Sequence, residues 1–366
     1  MSLAGVDTPS ALVDANRLEF NLAEMAALGQ RHGKALRPHF KTHKTAEIAA
    51  RQRELGAAGL TVAKLSEAEA LAEAGFDDLL VCYPMVGPLK LARLAALARR
   101  AQVSTVVDSE AAASELSAAM TRAGVRLDVL LKLDSGMHRV GIEHGQAGRL
   151  GSAVARMDGL RLRGVCIHEG SVYTEPDPVR RRAMARQQVH ELVDTAQALR
   201  DRGLPIEVVS CGSTPSVRDV IDIDGVTEVR PGNYVFHDAI QVALGVVPAS
   251  RCALSVLSTV VSRTAPVRAI IDAGSKVLTL DRGAHGHVLV EEYGQLPGRP
   301  SVLLSALSEE HGWLTLAAAA QLDIGDRLRI LPNHACAVVS NFDRLTVIRD
   351  GAPVAEWRVL ARGGKT

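Results

Sequence analysis

Residues 59–100 read GLTVAKLSEAEALAEAGFDDLLVCYPMVGPLKLARLAALARR. Two short apolar runs, 59–63 and 78–82, each precede a longer stretch rich in Ala, Leu, Glu and Arg. The longer stretches, 66–74 and 88–100, carry their apolar residues at helical spacing. A third short run follows at 103–107. Strand and helix alternate, and that order implies a parallel sheet, because a helix returns the chain to the end where the next strand must start. Outward from this stretch the pattern repeats. Further candidate strands lie at 35–40, 127–133, 164–168, 206–210 and 227–230, with helical segments at 108–123 and 179–202. Eight such strands imply an α/β fold built as a closed (β/α)8 TIM-like barrel; an open, doubly wound sheet is the alternative. After residue 250 the texture changes to short β-rich runs at 253–261, 269–271, 313–316, 327–330 and 344–349, punctuated by Gly, Pro, Asp and Asn. These predict a second, mostly antiparallel β domain at the C-terminus. The expected division is a barrel over 14–248 and a β domain formed by 249–366 together with 1–13.

The bulk numbers agree with two soluble units. A chain of 366 residues is long for one core. Its 42 Lys and Arg balance 41 Asp and Glu, so a formal charge of +1 gives no reason to expect nucleic acid or an anionic membrane as partner. No apolar run reaches membrane-spanning length, and the N-terminus lacks a basic region followed by an apolar block. The five cysteines are odd in number and not closely paired, which fits free thiols in a reducing compartment and makes the cytoplasm the expected location.

In such barrels chemistry sits where the strands end. The first candidate strand ends in Arg37-Pro38-His39-Phe40-Lys41-Thr42-His43-Lys44. The fifth runs into Lys132 and then Asp134-Ser135-Gly136-Met137-His138-Arg139-Val140-Gly141. The sixth ends in His168-Glu169-Gly170-Ser171. The seventh and eighth are followed by Gly212-Ser213-Thr214 and by Arg230-Pro231-Gly232-Asn233-Tyr234. The last two loops are small and rich in N–H and hydroxyl donors, as an anion such as phosphate requires. Lys41 stands among His39, His43 and Lys44, and neighbouring positive charge makes an amine a better nucleophile toward an aldehyde. Alone, this stretch reads sooner as a solvated basic loop opening a helix; the anion-type loops on the same rim turn the reading to the reactive lysine. His334 and Cys336 form a second constellation. Two residues apart on extended chain, imidazole and thiolate face the same way and suit zinc, with manganese or another divalent ion as alternatives. The plain alternative is buried packing.

These pieces together resemble the metal-activated, fold-type III pyridoxal-phosphate enzymes: D-threonine aldolase, D-serine dehydratase and the 3-hydroxy-D-aspartate lyases, related to alanine racemase. The matching motifs include residues 6–10, 37–44, 64–69, 134–141, 168–172, 212–214, 232–234, 272–276, 309–312 and 332–336. The resemblance implies that Lys41 carries pyridoxal 5'-phosphate as a Schiff base and that Arg139 contacts its ring. It also implies that Gly212, Ser213, Thr214, Gly232 and Asn233 bind its phosphate, with Tyr234 adjacent. His168 and Tyr173 would lie against cofactor or substrate, and His334 and Cys336 would hold the metal. Arg230 matches the position that contacts the pyridine nitrogen in alanine racemase, but the nearer relatives are not uniform there. The resemblance further implies a homodimer acting on small D-amino acids, with residues of both subunits near the site.

Pyridoxal phosphate withdraws electrons from Cα. A divalent ion beside a β-hydroxyl can favour loss of hydroxide, giving a keto acid and ammonia, or cleavage of Cα–Cβ, giving glycine and an aldehyde. By resemblance, dehydratase-type members carry His-x-Cys where some aldolases carry His-x-Asp, so the reading leans to dehydration of D-serine or 3-hydroxy-D-aspartate, with D-threonine aldolase chemistry as the alternative. A racemase would need a second acid/base, and Tyr293 is the only tyrosine after residue 250. A non-enzymatic pyridoxal-binding barrel would lack the β domain. Arg282 and Lys276 are candidate cations for a second substrate carboxylate.

Overall fold

The computed structural model describes residues 3–284 and 286–366. Strand β1 (Ser10–Asp14) leads into the helix Ala15–His32. The Asp14 side chain caps that helix by accepting from the Arg17 N–H, and Gly33 ends it in the left-handed region at φ 61°. The barrel strands follow: β2 (Ala35–Leu36), β3 (Leu60–Val62), β4 (Asp78–Val81), β5 (Gln102–Val107), β6 (Leu127–Lys132), β7 (Leu160–Cys166), β8 (Val208–Cys211) and β9 (Glu228–Val229). The remaining strands are β10 (Leu254–Ala265), β11 (Arg268–Ile271), β12 (Val302–Leu307), β13 (Gly312–Leu316), β14 (Arg327–Ile330), β15 (Arg344–Arg349) and β16 (Ala352–Arg358).

Strands β2 to β9 form one parallel sheet in the order β2-β9-β8-β7-β6-β5-β4-β3. The sheet curls until its two edges meet. There the closure is a single parallel bridge between His39 and Thr61, with the Thr61 N–H donating to the Pro38 carbonyl at 2.8 Å. Pro38 explains why the expected strand 35–40 is regular only over Ala35–Leu36. It has no N–H to give the ladder, and Phe40–Thr42 turn into a 3-10 helix capped by His39. The expected strands 206–210 and 227–230 are likewise trimmed, to β8 and β9, while that at 164–168 begins earlier, at Leu160.

The second sheet runs β12-β13-β11-β10-β1-β15-β16, with β14 also paired to β10. It is antiparallel except for β1 beside β15. Three of its strands, β1, β12 and β16, were not among the runs singled out. β12 alternates buried and exposed residues over 302–305, but Leu303 is among the exposed ones, and β16 has no buried residue, so neither shows an apolar–polar period in its sequence. The long β10 pairs β1 and β14 along its first half and β11 along its second, where the register slips at 260/262 and again at 262/265.

A buried charge cluster fixes the start of the barrel. Arg37 donates to Glu228 on β9 at 2.6 Å and to Asp78 on β4 at 2.6 Å, and Ser210 on β8 donates to the other oxygen of Glu228 at 2.5 Å. Replacing only the cation leaves Glu228 buried without its partner, which is costlier than replacing the whole pair. Arg37→Met is therefore expected to cost about 3–5 kcal/mol of stability, read as a lower midpoint of chemical denaturation. A loss below about 1 kcal/mol, the range of an exposed pair, would show that the cluster does not hold the strands.

Candidate active site

A cavity of about 620 Å³ opens where the barrel strands end, within the usual size of a small-molecule site. Among the described residues every barrel strand except β5 sends a residue to it: His39, Lys41 and Thr42 after β2, Ala63 and Lys64 after β3, Cys82 and Tyr83 after β4. Lys132 and Arg139 come from β6 and its loop, His168 and Tyr173 follow β7, Gly212, Ser213 and Thr214 follow β8, and Arg230, Gly232 and Asn233 follow β9. The β domain closes the far side with Asp281, Gly283, Ala284, His334 and Cys336. The structure thus gathers eleven of the twelve expected site residues. Tyr234 is the exception. Its ring is buried in the core and its hydroxyl accepts from Gln52 Nε2 at 2.9 Å, so only its backbone, donating to Thr214 Oγ1 at 3.1 Å, belongs to the loop.

The two small loops are built for close approach. Gly212 sits at φ +87°, a conformation that favours glycine. A Cβ on Gly232 would stand 2.9 Å from the His39 Cβ and 3.0 Å from Thr42 Oγ1, so only glycine lets this loop press against the turn that carries Lys41. Not every N–H here is free. Gly212 donates to the fully buried Glu169 carboxylate at 2.8 Å, and Ser213 donates to Ser216 Oγ at 2.9 Å. The N–H groups of Thr214, Gly232 and Asn233 donate to no acceptor among the described residues. Unpaired N–H groups at a barrel's seventh and eighth loops fit a phosphate. Buried Lys132 Nζ also lacks a partner and lines the same cavity, so the site fits an anionic cofactor.

Two imidazoles of the cavity, those of His39 and His168, are held neutral. Burial, then the charges of Lys41 and Arg230, push His39 well below its usual range. Burial, then Lys41, Lys132, Arg139 and Arg230, do the same to His168. Burial pushes the Tyr173 phenol up, so it keeps its proton; it interacts with Gln241.

His334 and Cys336 lie at the other wall. His334 Nδ1 is 3.1 Å from Asp281 Oδ2, and Cys336 Sγ is 3.2 Å from Thr42 Oγ1. Burial works against charge on both, but it is outweighed: Asp281 and Cys336 raise His334, and His334, Lys41 and Thr42 lower Cys336. The Cys336 thiol is thereby pushed down, toward the deprotonated form that ligates metal. Among the described residues no third His, Cys, Asp or Glu completes a three-ligand group. A soft sulfur and an imidazole with open positions between them fit a catalytic divalent ion rather than a closed structural one. His334 and Cys336 follow β14 and reach the cavity beside Asn333, which is pinned, its Nδ2 donating to the carbonyls of Asp281 at 2.9 Å and Glu292 at 2.7 Å.

The two cations suggested for a second carboxylate lie elsewhere. Lys276 is exposed and paired with Glu309 and Glu310, and Arg282 stacks over Tyr293 at 5.4 Å; neither lines the cavity, nor does Tyr293. Lys64 does line it. Its Nζ sits 3.8 Å above the Tyr83 ring, with no carboxylate partner among the described residues. Lys64 and Lys132 went unassigned in the sequence although each closes a strand, the position that marks the others. Asp238, Gln241 and Asp281 carried no such mark.

The alanine racemase N-terminal domain family matches residues 13–239, and the serine dehydratase domain family matches 253–348. The chain belongs to the fold-type III pyridoxal-phosphate enzymes. It is 39% identical to a D-threo-3-hydroxyaspartate dehydratase of Delftia sp. over 98% of each chain. It is 36% identical to a D-threonine aldolase of Arthrobacter sp. over 99% of this chain and 94% of that one. Among solved structures, a D-threonine aldolase from Filomicrobium marinum superposes with a TM-score of 0.94 at 37% identity, covering 100% of this chain and 98% of that one. A cysteine-to-alanine variant of a D-threo-3-hydroxyaspartate dehydratase, in the metal-free form, gives 0.92 at 38% identity over 98% and 99% of the two chains. No helix among the described residues is long and apolar enough to cross a membrane.

The neutral histidines of this pyridoxal-enzyme fold set a pH dependence. Burial pushes both His43 and His237 down to about 3. Below the ordinary value of 6.5 the unfolded chain takes up protons that the folded chain refuses, so stability is present above 6.5 and lost as pH falls. Each of the two is expected to withdraw about 1.4 kcal/mol per pH unit between about 6 and 5, before carboxylates begin to titrate. Urea midpoints measured across that window check this; a flat profile would mean that these imidazoles are not held neutral.

Proposed function

We propose that the chain is a dehydratase of D-3-hydroxy amino acids that uses pyridoxal 5'-phosphate and a divalent ion, zinc or manganese. The observation that carries this reading is the cavity shared by three parts: the Lys41 amine, the loops with unpaired N–H groups, and the His334–Cys336 pair. When bound, the cofactor withdraws electrons from Cα and the ion polarises the β-hydroxyl. The protein's own share follows from its geometry. Thr214, Gly232 and Asn233 hold the phosphate by N–H donation, with Ser213 beside them. Arg139 reaches in from the exposed rim toward the ring. Lys41 Nζ holds the cofactor and moves the Cα proton. His334 Nε2 and Cys336 Sγ bind the ion. His39 and His168, being neutral, shape the cavity without adding charge. The protonated Tyr173 phenol lines the same cavity as Cys336 and would donate to the leaving hydroxide. Thiolate with imidazole favours zinc over manganese. The reading includes a homodimer, from the family resemblance, and a cytoplasmic location, from five free cysteines.

Retro-aldol cleavage to glycine and an aldehyde is the second reading, favoured by the likeness to two D-threonine aldolases. Cys336, where some aldolases carry aspartate, supports dehydration. Lys64, a cavity cation without a carboxylate partner, supports a substrate with a second carboxylate, as in 3-hydroxy-D-aspartate.

Borohydride reduction followed by peptide mass mapping is expected to place the cofactor on Lys41. A tag on Lys44 or Lys132 instead would overturn the assignment.

The reaction is read from D- and L-forms of serine, threonine and 3-hydroxyaspartate, assayed with and without chelator. Metal-dependent keto acid and ammonia from the D-forms are expected, with Lys64→Met raising KM for 3-hydroxy-D-aspartate about tenfold or more, the loss of one charge-assisted contact. Its effect on D-serine should be much smaller. Glycine with aldehyde as the products would move the assignment to aldolase. Activity only on L-forms, or full activity in chelator, would remove it.

A further inference from the structure

One buried carboxylate touches both halves of this site. Asp238 is 1% exposed and lies on the segment that leaves the barrel after β9. Its Oδ2 accepts from Asn233 Nδ2 at 2.6 Å and from the Ala335 N–H at 2.9 Å, and its Oδ1 accepts from the Gln241 N–H at 3.1 Å. Asn233 offers one of the three unpaired N–H groups of the anion cradle. Ala335 is the residue between His334 and Cys336. A carboxylate only accepts, so the Asn233 amide must present its nitrogen to it, and its orientation is thereby fixed. Two backbone bonds run parallel to this link: Ala239 N–H to the Pro332 carbonyl at 3.0 Å and Ile240 N–H to the Asn333 carbonyl at 3.3 Å. All three donors are spent on Asp238 and both of its oxygens are engaged, so it stands as a support for the metal pair rather than as a third ligand.

We propose that Asp238 is a positioning residue that couples the phosphate cradle to the metal pair, so that binding of cofactor and of metal strengthen each other. The inference rests on the reading that the cradle takes the cofactor phosphate and that His334 and Cys336 take the ion. Ordering Asn233 on a phosphate fixes one donor to Oδ2. Ordering the His334–Cys336 segment on an ion fixes the other. A buried carboxylate cannot let either go cheaply, because an unpaired donor or acceptor away from water bears its full desolvation cost. Each ligand therefore prepays part of the ordering that the other requires. Such coupling is reciprocal: the factor by which metal tightens the cofactor equals the factor by which cofactor tightens the metal.

The test uses the full chain, stripped of cofactor and metal. Affinity for pyridoxal phosphate is titrated by visible absorbance with and without saturating Zn²⁺, and Zn²⁺ affinity by competition with a fluorescent chelator with and without cofactor. In the unaltered chain each ligand is expected to tighten the other by about fivefold or more. Asp238→Asn is expected to weaken both and to bring the coupling to within twofold. Ala335→Pro is the second variant, because it deletes only the N–H on the metal side. Ala335 opens the helix Ala335–Val339, a position that proline tolerates, and His334 before it is already extended at φ −135° and ψ 101°. That variant is expected to stay folded with a modestly lower thermal midpoint, to bind each ligand alone, and to lose the coupling, which a merely structural role for the carboxylate would not produce. Coupling absent from the unaltered chain while both ligands bind, or retained in both variants, overturns the inference alone. A chain that takes up no Zn²⁺ overturns the metal reading and this inference with it.

Discussion

Between its edge strands the barrel closes through two backbone hydrogen bonds, from the Ala58 N–H to the Leu36 carbonyl and from the Thr61 N–H to the Pro38 carbonyl, each 2.8 Å, and the site sits just beyond that closure. The His39 N–H donates to the Pro231 carbonyl at 3.0 Å, on the side of β9, and His39 bridges to Thr61 on the side of β3. One residue thus joins both neighbours of the first strand above the point where Pro38 has ended its ladder. Lys41 follows two residues later, and Gly232 lies against the same turn. Lys41 and the loop that carries Gly232 meet because β2 pairs directly with β9. The closure between β2 and β3 brings Lys41 to Lys64, which follows the sheet's other edge strand.

Closure also explains how legible the site was. Strand ends are readable from the switch between short apolar runs and helical spacing, and a barrel sends all its strand ends to one face. Lys41, His168, Gly212 and Gly232 could therefore be placed together without knowing any distance. Tyr234 was carried along by its neighbours in the chain. It lies in a 3-10 turn, where adjacent side chains diverge by roughly 120°, and its ring enters the core while Asn233 stays at the loop. Adjacency along the chain is a poor guide in a tight turn.

The residues that went unseen are those whose meaning is tertiary. Asp238 caps a five-residue helix, and nothing in its neighbourhood along the chain marks it as the partner of Ala335, 97 residues away. Asp281 precedes His334 by 53 residues and meets it only because the loop before β12 folds over the cavity mouth. Lys276 carries a motif position yet faces Glu309 and Glu310 outside the cavity. Periodicity reports which face of an element is buried. It does not report which loop of a second domain will lie across that face.

The charge of the cavity gives the last step. Lys41, Lys64, Lys132, Arg139 and Arg230 line it, against the carboxylates Asp238 and Asp281. Asp281 is turned to His334, and Asp238 is spent on three N–H donors. Little negative charge is left to face the cations, which is why burial and like charge together keep His39 and His168 neutral. A cavity so uncompensated is complementary to more than one anionic group. A phosphate at the cradle accounts for one and an α-carboxylate for a second. Arg230 is also tied to the Ile167 carbonyl at 2.5 Å and to Ser210, so it is fixed in the barrel wall rather than free to follow a ligand. Lys64, held by the face of Tyr83, and Lys132, whose Nζ has no partner among the described residues, are the lining cations left without a protein acceptor, so the excess positive charge is concentrated on the β3 and β6 side of the cavity.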